Sequence, residues 1–280
     1  MLRISIVFFL LAAQSAGANP FFYGEPDYHD EASKALAVEL LNAHGGMQPF
    51  STADSVKFSF FTKMLGNPNP FYSHETLDLE SGHATIDWPF WNARIAWDGE
   101  TVWTTNWPMP LPAGFFVRLT SSFLTLPWQI HNAHADIGPV TTGQLPNDNT
   151  QYDVLRVTFD HRHPGIPGTF YEIFVHPETR LMAGLRFDIN HPGMVANPSQ
   201  PLGPNYHVFG DYRRFNDLVI PTFYKSYGQG SGKGGQSNAY HFVWDMKFDQ
   251  PFDSERLNAP ADAQIDAVST SWWQLGGSKQ

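Results

Sequence analysis

From Ser55 to Phe248 the apolar residues of this chain recur mostly at every second position, and that period dictates extended strands far more than helices. Val56, Phe58 and Phe60 alternate with Lys57, Ser59 and Phe61, so one side of the segment is apolar when successive side chains point to opposite faces. His74 to Leu79 runs into the turn pair Ser81-Gly82, and Ala93 to Trp97 meets Asp98-Gly99 before Thr101 to Thr104 resumes. Asp-Gly between alternating segments signals a hairpin. Further strands are expected over Tyr152–Asp160, Thr169–His176, Leu181–Asn190, Tyr206–Phe215, Val219–Tyr227 and Tyr240–Phe248. His176-Pro177-Glu178-Thr179 reads as a turn, because Pro fixes φ.

Two stretches break the rhythm. In Asp30–Ala43, Leu36, Leu40 and Ala43 fall at helical spacing, and Gly45-Gly46 follows with residues suited to a left-handed cap. Later, Pro108, Pro110 and Pro112 stiffen an extended entry to Ala113–Leu126, where Phe116, Leu119 and Phe123 share one helical face. Pro127 is expected to stop that helix. Nine or ten strands at hairpin spacing with two helices make an antiparallel sheet that curls, its concave side filled by the helices, a ligand or both. A Gly-rich tract, Gly228–Gly235, separates the last two strands, and the tail carries Trp272-Trp273.

The chain begins Met1-Leu2-Arg3, continues through an apolar run from Ile4 to Ala13, and reaches Ala16-Gly17-Ala18. These are the parts of a cleaved secretory signal peptide, and the run is too short to span a bilayer. Residues 1–18 are therefore read as an address and residues 19–280 as a single domain, periplasmic or secreted. No Cys follows the cleavage point, so no lipobox is present for acylation. No later stretch has eighteen uninterrupted apolar residues, so the chain is not expected to span a membrane.

Composition removes several classes of function. With 27 acidic against 17 basic residues and no Lys/Arg cluster, the cationic footprint needed for nucleic acid is missing. The absence of Cys excludes thiol catalysis, disulfides, iron–sulfur clusters and Cys-based zinc sites. Aromatics reach 15% against 16% charged residues, the opposite of a disordered composition. The sequence contains no nucleophile elbow, phosphate loop, dinucleotide fingerprint or H-E-x-x-H motif. The remaining candidates are the pair His161 and His163 beside Asp160, the pair His131 and His134 near Asp136, the carboxylates Asp78/Glu80 and Asp245/Asp249, and the tryptophans 88, 91, 97, 103 and 107. The first pair would suit a metal-dependent hydrolase-type enzyme, and the tryptophans a carbohydrate-binding module. Each also has a plain structural reading as a turn, strand-edge or core residue.

The order of certain segments carries more. Leu40-Leu41-Asn42-Ala43-His44-Gly45-Gly46 precedes Ser55-Val56-Lys57-Phe58-Ser59-Phe60. His74-Glu75-Thr76-Leu77-Asp78-Leu79-Glu80-Ser81-Gly82 and Ile95-Ala96-Trp97-Asp98-Gly99-Glu100-Thr101-Val102-Trp103 follow. Phe123-Leu124-Thr125-Leu126-Pro127-Trp128-Gln129-Ile130 stands in the middle, with Tyr171-Glu172-Ile173-Phe174-Val175-His176-Pro177-Glu178-Thr179 and Gly210-Asp211-Tyr212-Arg213-Arg214-Phe215-Asn216-Asp217-Leu218-Val219-Ile220-Pro221 later. From about Ala35 to Pro260 the chain resembles the LolA-like superfamily, the fold of outer-membrane lipoprotein sorting. That resemblance implies an unclosed antiparallel β half-barrel whose concave face is lidded by helices. It also implies an apolar cavity for a hydrophobic small molecule, lipid or lipoprotein acyl chain, with an envelope membrane protein as a further partner. Such a carrier needs no catalytic residue, cofactor or metal. The expected lining is Val56, Phe58, Phe60, Ile95, Trp97, Tyr171, Ile173, Leu185 and Phe187 from strands, with Phe116, Leu119 and Phe123 from the lid.

Overall fold

The structure is a computed structural model and describes residues 25–67, 69–117, 119–159, 170–191, 193–197, 201–228 and 235–270. The leader, His161, His163, Trp272, Trp273 and most of the Gly-rich tract lie outside the described residues. Helix α1 (Glu31–Ala43) starts where the sequence supplies a cap: the Asp30 carboxylate accepts the Ser33 amide at 2.8 Å, and the Ser33 hydroxyl oxygen accepts the Asp30 amide at 3.1 Å. Its buried stripe holds Leu36, Ala37 and Leu40, each large side chain gaining about 1.5–3 kcal/mol from burial. It ends at Gly45 and Gly46, both at positive φ. At Gly45 any Cβ would lie 2.1 Å from the carbonyl oxygen of Asp217, so the closeness of the helix end to the sheet requires glycine. A short helix α2 (Met47–Ser51) follows.

Among the described residues fifteen strands form one open sheet. They are β1 (Asp27–Tyr28), β2 (Ser55–Met64), β3 (Phe71–Asp78), β4 (Ala84–Trp88), β5 (Ala93–Trp97), β6 (Val102–Thr105), β7 (Ala135–Ile137), β8 (Thr141–Gly143), β9 (Tyr152–Phe159), β10 (Phe170–Val175), β11 (Met182–Ile189), β12 (Leu202–Phe215), β13 (Leu218–Tyr227), β14 (Ala239–Phe248) and β15 (Gln264–Ile265). The spatial order is β1-β7-β9-β10-β11-β12-β13-β14-β2-β3-β4-β5-β6-β15, with β8 beside β9. All pairs are antiparallel except β1 with β7. The sheet is never closed, since β1 and β15 remain at its ends, and the expected open half-barrel with helices is what the chain forms.

The expected helix over Ala113–Leu126 needs correction. One 3₁₀ turn covers Ala113–Phe115, and the helix proper, α3, runs Leu119–Gln129 with Pro127 inside it. Proline removes a single backbone bond, and it does so near the helix end. Leu126, Trp128 and Ile130 around it are fully buried, and their packing offsets that loss. Trp128 stacks on Phe50 at 4.8 Å, and its indole N–H donates to the Gly46 carbonyl at 2.8 Å. α1, α2 and the end of α3 are thus joined over one half of the sheet's inner face.

Strand register shows which residues share that face. Phe209 pairs with Tyr224, Tyr224 with His241, His241 with Thr62, and Thr62 with Phe71. Leu155, Ile173, Leu185 and His207 form a similar row. Paired residues have their side chains on the same side, so these rows mark a continuous inner surface. Trp103 stands on the opposite face, fully buried, its indole N–H donating to the Leu257 carbonyl at 2.7 Å.

Candidate functional site

The half of the inner face that α1 leaves uncovered contains a cavity of about 310 Å³. Its walls are strands β2, β3, β4, β11, β12, β13 and β14; its roof is the segment Met109–Phe116 and the first turns of α3. It reaches the surface beside Met64 and Leu111, which are 43% and 37% exposed. The volume lies at the lower end of small-molecule sites, about 300–1,000 Å³.

Of the twelve residues expected at the site, Phe60, Phe116, Leu119, Phe123 and Phe187 line this cavity. Val56, Phe58, Ile95, Trp97, Tyr171, Ile173 and Leu185 belong to the packed core and do not line it. The two groups share the inner face. Phe123 of α3 joins them, with its ring 4.9 Å from Phe187 and 6.4 Å from Tyr171.

The cavity wall also carries polar groups that no motif in the sequence marks. Glu75 is buried there, and both the Ser73 and Thr120 hydroxyls donate to its Oε1, at 3.0 and 3.3 Å. Burial pushes its carboxyl up to about 8, against the pull of those two hydroxyls, so it carries a proton at neutral pH. Across the sheet, His241 lies between two hydroxyls, with Thr62 Oγ1 2.8 Å from Nδ1 and Ser226 Oγ 2.6 Å from Nε2. Burial pulls His241 down to about 3. Tyr224 stacks between His241 at 4.2 Å and His207 at 4.8 Å. His207 is held neutral by burial and by the nearby His241. Among the described residues its Nδ1, which is buried, has no hydrogen-bond partner, and neither has the buried indole nitrogen of Trp88, another wall residue. A possible signal was parity: Glu75, His207 and His241 stand on the inward register of their strands. Reading it required knowing which strands pair.

A second cluster contains the ingredients of nucleophilic catalysis in the wrong geometry. Ser269 Oγ lies 3.2 Å from His191 Nε2 and donates to Asp266 at 2.7 Å. The Gly193 amide donates to His191 Nδ1 at 3.1 Å, which places the imidazole proton on Nε2, facing the serine. The histidine therefore donates to Ser269 and cannot take its proton, and Asp266 contacts the serine instead of the imidazole. Ser269 and His191 are both fully buried. Asp266 also accepts the Gly114 amide at 2.9 Å, so the cluster ties the C-terminal segment to the cavity roof.

Two of the other described candidates take structural positions. His131 Nε2 donates to the Ala37 carbonyl at 3.2 Å, and Asp249 accepts the Asp54 amide at 3.1 Å. Among the described residues no three His, Asp or Glu side chains are grouped to hold a metal ion. Trp88, Trp97 and Trp103 are buried, while Trp91 and Trp107 pack on Trp88 at 5.4 and 5.6 Å; the five make no exposed platform for a sugar. Among the described residues no helix is long and apolar enough to cross a membrane.

No protein-family profile matches the sequence, and no curated protein matches it. Solved structures do. A LolA superfamily protein from Nitrosomonas europaea aligns with TM-score 0.50 at 11% identity, covering 81% of this chain and 97% of that one. A DUF1329 family protein from Desulfovibrio piger gives 0.49 at 12% identity, with 81% and 96% covered. A domain named for outer membrane lipoprotein sorting, from Vibrio parahaemolyticus, gives 0.46 at 10% identity, with 80% and 95% covered. At such identities a likeness speaks for the fold alone, and the fold of this chain, an open antiparallel sheet with helices on its inner face, is similar to that of the Nitrosomonas europaea protein.

Proposed function

We propose that this protein is a non-enzymatic carrier or binding protein for a hydrophobic ligand, such as a lipid or a lipoprotein acyl chain. It works in the periplasm or outside the cell after loss of residues 1–18, with residues 19–280 acting as one domain and an envelope membrane protein as a handover partner. The observation that supports this reading is the cavity itself: about 310 Å³ left between the sheet and the roof, walled largely by Phe, Leu, Met and Trp side chains. Interiors are normally packed without such voids. The space suits about ten methylene-sized groups, and at about 0.8 kcal/mol per buried methylene a single chain would gain about 8 kcal/mol, equivalent to micromolar affinity before ordering costs. That is strong enough to hold a chain and weak enough to release it.

Native mass spectrometry of the mature protein purified from its own host, with organic extraction of bound material, tests the proposal. A co-purifying apolar mass, or uptake of an added fatty alcohol, acid or phospholipid, is the expected result. A clean protein mass with no uptake of any of them would overturn it.

A further inference from the structure

Strand pairing builds a surface on the outer face of the sheet that no single stretch of sequence contains. Four of the chain's seven lysines, Lys57, Lys63, Lys225 and Lys247, stand on the adjacent strands β2, β13 and β14. Register arranges them in rungs. Lys57 pairs with Lys247, and Ser59 lies between His74 and Trp244. Phe61 lies between Tyr72 and Phe242, Phe242 pairs in turn with Phe223, and Tyr240 lies between Lys63 and Lys225. These positions alternate with Phe60, Thr62, Tyr224 and His241 of the cavity wall, so they face outward. Two aromatic rungs are thus bounded at both ends by lysine. We infer that this face docks the protein on a bilayer containing anionic phospholipid, its rings entering the headgroup region and its lysines meeting the phosphates.

The apolar part of the argument is exposure. Phe242 and Trp244 are 43% and 39% exposed, while Phe61, Tyr72, Phe223 and Tyr240 are half-buried. Phe242 is in ring contact with Phe223 at 5.1 Å and with Phe61 at 6.1 Å, and Trp244 stacks on Tyr72 at 5.5 Å. Trp and Tyr, apolar bodies with a polar handle, favour the boundary between membrane and water. Lysine stems are long enough to reach the phosphates from beside them. At the end of β2 the patch continues into the exposed Met64 and Leu65, and Met64 borders the cavity opening. A bilayer against this face lies beside the entrance, whatever the cavity holds.

The charged part is a pairing of like charges. Lys57 and Lys247 stand directly opposite each other, an arrangement that costs stability within a sheet. Lys247 meets Asp245 at 2.8 Å, but both side chains are more than half exposed, where such a pair is weak. Lys57 donates to the Pro251 carbonyl at 2.9 Å, an uncharged acceptor. In a chain of net charge −10, four lysines gathered on three strands complement an anionic surface. The same charges disfavour a second copy, because a two-fold contact through this face would set lysine rungs against lysine rungs. Ring planes disfavour a glycan. Phe242 is tilted 59° from Phe61 and 46° from Phe223, and Tyr72 covers Trp244 face to face, so the rings form no flat platform.

Co-sedimentation with vesicles decides the matter, using protein lacking residues 1–18 and vesicles of phosphatidylcholine alone or mixed equally with phosphatidylglycerol. At low salt, binding to the mixed vesicles should exceed binding to phosphatidylcholine at least about tenfold, and it should vanish near 1 M salt, where screening acts within about 3 Å. Lys57→Gln and Lys225→Gln should each weaken binding about fivefold. Phe242→Ser and Trp244→Ser should weaken it too, while Lys34→Gln, the same charge change on α1, should bind as the parent does. Melting transitions check that each variant folds, and the lipid and salt dependence of the parent needs no variant at all. Equal binding to both vesicles, binding to neither, or unchanged binding in all four face variants would overturn the proposal. A dimer seen by sedimentation velocity and lost in Trp244→Ser would overturn it in favour of a second copy.

Discussion

His44 Nε2 accepts the amide hydrogen of Met182 at 3.0 Å, while its Nδ1 donates to the Val219 carbonyl at 2.6 Å. One side chain at the end of α1 thus links β11 and β13, and the two bonds fix the tautomer. Desolvation pulls its titration down to about 4, so the ring stays neutral where a free histidine would begin to charge. Trp128 meets the ring edge-on at 5.7 Å, tying this junction to α3.

Replacing His44 should loosen the helical layer from the sheet. His44→Ala leaves a buried N–H and a buried C=O unpaired, each costing about 1–3 kcal/mol, so a loss of roughly 2–6 kcal/mol is expected in urea unfolding. A loss below about 1 kcal/mol would mean that the junction carries no stability.

Histidines whose titration burial pulls down predict acid sensitivity. His44 and His191 titrate at about 4, His241 at about 3, and His207 well below its ordinary value, all chiefly through burial. The unfolded chain takes up protons near pH 6.5 while the folded chain refuses them, so the unfolded state binds more protons in that window and stability falls as pH drops from about 6.5 toward 4. Melting temperatures measured across this range should decline steeply. A flat profile would show that these rings are solvated.

Glu75 has the opposite sign. Its folded value of about 8 lies above the ordinary 4.5, so between those limits the folded state holds the proton and stability falls as pH rises. Glu75→Gln keeps an acceptor for the Ser73 and Thr120 hydroxyls and removes the titration. The variant should match the parent near pH 4.5 and exceed it by on the order of 3 kcal/mol at pH 7. Parallel pH–stability curves for the two proteins would show that Glu75 is ionised in the fold.

These residues also show where a sequence stops being legible. The period-two pattern marks Val56, Phe58 and Phe60 as one face, and their register with β3 and β14 bears that out. The end of α1 at Gly45-Gly46, both at positive φ, was equally local and equally readable. Pro127 was misjudged because a local rule predicts a helix stop, whereas the burial of Trp128 and Ile130 is a tertiary fact. β1, β7, β8 and β15, two or three residues each, are strands only because a neighbour supplies their hydrogen bonds. The polar wall was hidden for a related reason. Glu75 and His241 fall on the inward parity, yet an isolated strand does not say which parity is inward when both carry large side chains, as Tyr240-His241-Phe242-Val243 does.

Alternation likewise cannot say whether a helix or a void covers an inward residue, and that distinction can be measured. Phe123 and Trp97 are both buried on the inner face, but only Phe123 borders the cavity. Phe123→Ala and Trp97→Ala should each cost about 3–5 kcal/mol, as large core truncations do. Phe123→Ala merges its vacated volume with the cavity, so the preferred ligand should lengthen by a few carbons in a chain-length series of alcohols. Trp97→Ala opens space that the cavity does not reach, so its chain-length optimum should stay where the parent has it. A shift of equal size in both variants would mean that the inner face repacks as a whole, and that the five lining residues and the seven core residues act as one reservoir.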